Sequence, residues 1–147
     1  MTADKKLLFT RFRGDVSAEA DRIIKEYGED AGLSDSIDLL RMAVDYRAAY
    51  ERSPGTGEGF EAWRNSRAYL EASEEMAYSY LRRSAEEQDE RSSELLHGHP
   101  EYRDTILETK RKFADLADEA ERFLAKAKLQ TEKELRILLG IEKETVQ

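Results

Sequence analysis

Apolar positions along this chain fall mostly at helical spacing. Between residues 15 and 31, Val16, Ala20, Ile23, Ile24 and Tyr27 follow steps of four, three, one and three, the spacing of one helical face. Gly32-Leu33-Ser34-Asp35-Ser36 then offers a stop followed by alternative N-caps. In the next helix Ile37, Leu39, Leu40, Met42, Ala43, Val44, Tyr46 and Tyr50 spread around more than one face. A helix so broadly apolar, in a unit this small, needs cover on two sides. The pattern therefore points to a second protomer, with folding-back of the C-terminal helices as the alternative.

Ser53-Pro54-Gly55-Thr56-Gly57-Glu58-Gly59 holds three Gly and one Pro within seven residues and reads as a linker, 53–59, between a unit over 1–52 and a helical region over 60–147. The helix from about Phe60 to Leu96 carries a seam of Phe60, Trp63, Leu70, Ala77 and Leu81. His97-Gly98-His99-Pro100 breaks it, with Gly98 suited to a helix end and Pro100 to the first turn of the next. Beyond it, positions 102, 106, 109, 113, 116, 120, 123, 127, 130, 134, 137 and 141 alternate steps of four and three. Nine of these twelve are apolar or aromatic, which predicts a coiled-coil-like stripe. It fits either a hairpin closing on itself or two hairpins pairing between protomers. The capping-box spacing of Thr131 and Glu134 suggests a softer break, and Gly140 a final stop.

Lys5-Lys6-Leu7-Leu8-Phe9-Thr10-Arg11-Phe12-Arg13-Gly14 departs from this pattern. It is dense in apolar, aromatic and β-branched residues, shows no helical stripe, and closes on Gly14, so it reads as a strand. A lone strand leaves its backbone groups without partners, and the rest of the chain offers no second strand. Antiparallel pairing with the same strand of another copy is the simplest remedy. Charge sharpens the point. Lys5, Lys6, Arg11 and Arg13 against Asp4 give residues 1–14 a net of +3 in a chain whose total is −8. A two-stranded basic ribbon fits the major groove of double-stranded DNA, where Arg reaches guanine acceptors.

Residues 5–50 resemble the ribbon-helix-helix family of DNA-binding repressors. The resemblance rests on Arg11-Phe12-Arg13-Gly14-Asp15-Val16 at the strand–helix junction, on Val16, Ala20-Asp21 and Ile23-Ile24 in the first helix, on Gly32–Ser36 as the inter-helix turn, and on Leu39–Val44 in the second helix. It implies a mainly α protein with one strand and two helices forming an intertwined homodimer, followed by a long helical hairpin or coiled-coil-like region. It further implies base contacts by Arg11, Phe9 and Leu7, and phosphate contacts by Lys5, Lys6, Arg13, Ser34 and Ser36. Leu8, Thr10, Phe12, Leu40 and Val44 would form the dimer core. Phe9 and Leu7 are apolar where polar readers are wanted, and Asp35 and Asp38 would repel a phosphate from the second helix.

Zero Cys removes disulfides, thiolate zinc sites and Cys nucleophiles, and fits a reducing compartment. No apolar run is long enough to span a membrane and no signal-peptide pattern is present, so the expected location is cytoplasmic. Glu94-Leu95-Leu96-His97 is a Glu-x-x-His, but no second such motif accompanies it as a di-iron site requires. No phosphate loop or nucleophile elbow exists. The sequence thus predicts a non-enzyme without cofactor: a sequence-specific DNA-binding dimer whose residues 60–139 add a route to a tetramer or a protein partner. The alternative is a helical interaction module, such as an adaptor, antitoxin or inhibitor, that does not bind DNA.

Overall fold

A computed structural model describes residues 3–141, and over that span the chain is four helices joined by short turns. Helix α1 is Ala3–Tyr27, α2 Leu33–Arg52, α3 Gly57–Gly98 and α4 Arg103–Leu138, with a 3-10 turn at Pro100–Tyr102 ahead of α4. The remaining connections are short. Gly28 ends α1 at φ +80°, a left-handed conformation that glycine adopts without steric cost. Gly32 caps α2, its amide donating to the Asp35 carboxylate at 3.0 Å. Thr56 caps α3, accepting from the Gly59 amide at 2.9 Å. Gly59 is obligatory there, because a Cβ would meet the Ser53 carbonyl oxygen at 1.9 Å. Past α4, the amides of Gly140 and Ile141 donate to the carbonyls of Ile137 and Arg136, the paired bonds of a Schellman stop.

The strand expected over residues 5–14 is helix, and among the described residues there is no strand at all. This overturns the ribbon-helix-helix fold. The physical reason lies in spacing: Phe9 and Phe12 continue the line of Val16, Ala20 and Ile23 at steps of three and four, so α1 presents one unbroken apolar face. Phe12 packs on Phe60 with ring centroids 4.8 Å apart, and Phe9 lies under the Arg136 guanidinium. Thr10 donates to the Lys6 carbonyl one turn back, a bond available only in a helix. Gly14 sits on the exposed side with open space around it, so it costs helix propensity without breaking the helix.

Helix α3 is the axis of the molecule, and the other three pack on it. Ser36–Ser73 and Tyr46–Tyr69 contacts set α2 antiparallel to α3. Phe12–Phe60 and Arg13–Glu71 set α1 parallel to it, while Arg67–Thr131 and Arg82–Asp118 set α4 antiparallel. The core joins Val16, Ile23, Leu39, Trp63, Met76 and Leu135, filled out by alanines. Small residues allow close helix approach: Ser36 Oγ donates to the Ser73 carbonyl at 2.9 Å and Ser73 Oγ returns the bond at 2.7 Å.

Helix α4 is continuous through Thr131, which is fully buried and donates to the Ala127 carbonyl, so no capping break exists there. The residues α4 buries are Ala117, Ala120, Ala127, Thr131 and Leu135. Only part of the expected stripe coincides with this line. Ala120 and Ala127 lie inside, whereas Leu116, Phe123 and Gln130 are exposed. Ala117, Ala120 and Ala127 face inward together with Thr131 and Leu135, while Leu116 and Phe123 are turned outward. The hairpin does close on itself through α3–α4 packing.

Candidate interaction surfaces

The residues expected to read DNA are distributed along one helix and into the core. Arg11 and Leu7 are exposed on α1, Leu7 at 70%, and Phe9 is half-buried against α4. Lys6 is exposed, while Lys5 Nζ donates to the Gly140 carbonyl at 3.3 Å. Arg13 is withdrawn from the surface, its side chain only 15% exposed. Ser34 is exposed at the start of α2, but Ser36 is spent in the α2–α3 contact and faces no phosphate. Asp35 occupies the α2 N-terminus itself. Of the expected dimer-core set, Phe12 belongs to the chain's own core and Leu8 is partly exposed. Leu40 and Val44, at 41% and 60%, lie open on α2.

A polar network absent from the sequence-based expectations ties the helices together. Glu71 on α3 is only 2% exposed and receives both ends of the Arg13 guanidinium, at 2.8 and 3.2 Å. A bidentate pair of this kind is strong, and a buried carboxylate without it would be costly. Arg13 also lies 3.6 Å from Glu132 on α4. One turn before Glu71, Arg67 donates to Thr131 Oγ1 at 2.9 Å and to the Ala127 carbonyl at 3.0 Å, and pairs with Glu134 at 3.0 Å. Glu134 is shared with Arg47 of α2. Burial pushes the Arg67 pKa down, against the opposing pull of Glu134 and Glu71. The network thus spans α1, α2, α3 and α4. Its partners lie 58 to 119 positions apart, so no local sequence signal marks them.

Two surfaces remain open. The first is a groove floored by Leu70 of α3, walled by Leu40 and Val44 of α2 and by Phe123 and Gln130 of α4. Glu74 lies at its end, half-buried, and burial raises its carboxyl pKa. The second is the distal α3–α4 hairpin. Arg83 bonds the carbonyls of Glu29 and Ala31 in the α1–α2 turn. Farther out, α3 meets α4 through Lys110–Asp89 at 2.6 Å and also contacts the 3-10 turn. From residue 84 to Gly98 this arm is about 22 Å long at 1.5 Å per residue. Ser92, Ala117 and Ala120 are its buried residues, while Leu95, Tyr102 and Leu116 stand exposed. Residues 84–121 carry twelve carboxylates against five Lys and Arg.

Among the described residues no group of His, Asp and Glu is arranged to hold a metal ion, and no helix is long and apolar enough to cross a membrane. No protein-family model, curated protein or solved structure matches this chain.

Proposed function

We propose that this protein is a helical interaction module whose α3–α4 arm engages a basic surface of a protein partner. The observation that carries the reading is the arm itself, which projects past the four-helix section with a seven-charge acidic excess and exposed Leu95, Tyr102 and Leu116. A two-helix arm encloses one seam and leaves its outer apolar side chains in water. Such residues, ringed by like charge, supply contact area at the centre and electrostatic steering at the rim. The same acidity opposes nucleic-acid phosphates, which recruit Lys and Arg. At the other end of the molecule the described residues up to Gly14 are helix rather than strand, and Arg13 is committed to Glu71.

The test places a photo-crosslinking residue at Leu116 of the full chain, and separately at Leu7, in the cells that make the protein. The expected result is a discrete protein adduct from position 116 that fades with added salt and with the Asp115→Asn, Glu119→Gln pair. Adducts confined to position 7, or formed with nucleic acid, would contradict the reading.

A further inference from the structure

The groove between α2 and α4 is a separate surface from the arm, and its chemistry specifies an occupant. Two contiguous depressions of about 350 and 290 Å³ share Arg67, Leu70 and Gln130 along their floor. Leu40 and Val44 form the α2 wall, and Ile37, three residues earlier on the same helical line, is 65% exposed. Phe123 faces them from α4, itself half exposed. Singly exposed apolar residues are ordinary, but three lining one groove, with Ile37 continuing their line on α2, mark a surface that is covered in use.

We infer that two copies of this chain pair face to face across this groove, about a two-fold axis. Three observations support a second copy over an unrelated partner. The rim is self-complementary: Glu74 and Lys126 line the same depression, and neither has an ion-pair or hydrogen-bond partner among the described residues. A two-fold axis sets each against its opposite on the other copy, as an isologous interface requires. Glu74 is half-buried beside Leu70 and Phe123, and an unpaired carboxylate there is disfavoured until a cation meets it. Pairing also supplies the second covered side that the broad apolarity of α2 demands.

Sedimentation of the full-length chain across the micromolar range tests this. The expected species has twice the 16.9 kDa chain mass. Val44→Glu and Ile37→Glu each replace an exposed side chain, so helicity by circular dichroism stays unchanged while dimer affinity falls more than about tenfold. Leu7→Glu, an equally exposed apolar-to-acid change away from the groove, leaves the dimer intact. Glu74→Lys and Lys126→Glu each weaken pairing, and the double reversal restores it. A wild-type chain that stays monomeric, or a dimer indifferent to both Val44→Glu and Ile37→Glu, overturns the proposal. A double reversal no better than the singles overturns the two-fold arrangement. Loss of arm crosslinking leaves these sedimentation results untouched, so the two readings fail separately.

Discussion

Residues 57–83 of α3 bond α1, α2 and α4 through Glu71, Ser73 and Arg67, whereas residues 84–98 of the same helix bond α4 through Asp89. Helical pattern alone does not distinguish the two segments, since both form one continuous helix. What differs is enclosure. The first segment buries Trp63, Ala68, Glu71, Ala72 and Met76, and the second buries Ser92. Helix is therefore maintained along the whole length by propensity and by one partner, but most tertiary stability concentrates where three helices converge. The lesson is that the same secondary structure serves a load in one half and presents a surface in the other.

Mutations can separate the halves. The largest expected effect is Arg13→Ala, which strands the buried Glu71 carboxylate and costs about 3–5 kcal/mol in urea unfolding. The matching change in the arm, Lys110→Ala, removes a pair exposed on both sides and stays within roughly 0.5 kcal/mol. An Arg13→Ala effect as small as that of Lys110→Ala would return Arg13 to the surface role that a DNA-reading strand implies. Next is Leu39→Ala, at about 2–5 kcal/mol, because Leu39 is fully enclosed between helices. Leu96→Ala in the arm, half-exposed, is expected to cost less than half as much in the same assay.

Gly14→Ala has a smaller effect and the opposite sign. A Cβ there meets nothing within 4 Å, so the substitution stabilises by about 0.5–1 kcal/mol if residues 5–14 are helix. A loss would favour a strand–turn junction at Gly14. The smallest effect concerns Glu19, whose carboxyl is held below its usual pKa by the hydrogen bond from Arg22. A lowered folded-state value means stability that is present above the ordinary carboxylate range and is lost as pH falls through the folded pKa. Arg22→Gln should flatten that part of the acid-side decline in thermal midpoint. An unchanged profile would show that this surface pair contributes nothing measurable.

Much of the helical layout was legible in the sequence. The break at His97–Pro100, the face of Val16, Ala20 and Ile23, and the stop at Gly140 are local signals, and each appears in the structure. Residues 5–14 misled because Leu7, Leu8, Phe9 and Phe12 satisfy a strand's composition, and Gly14 looks like a terminator. The resolving signal was the phase of Phe9 and Phe12 with Val16, visible only when the window crosses Gly14. The α4 stripe misled for another reason. Periodicity locates an apolar face, but it does not tell which of two adjacent lines is enclosed, and α4 turns its alanines inward and Leu116 and Phe123 outward. The Arg13–Glu71 and Arg67–Glu134 pairs depend on tertiary placement, so composition showed only that charges were plentiful.

Native-state hydrogen exchange on the full-length protein tests the division between enclosed bundle and projecting arm most directly. Amides of Phe12–Ile23 and Trp63–Met76 should exchange only through global unfolding, while those of residues 84–96 and 104–116 should exchange orders of magnitude faster through local opening. Equal protection along the whole of α3, or rapid exchange in Phe12–Ile23, would contradict it.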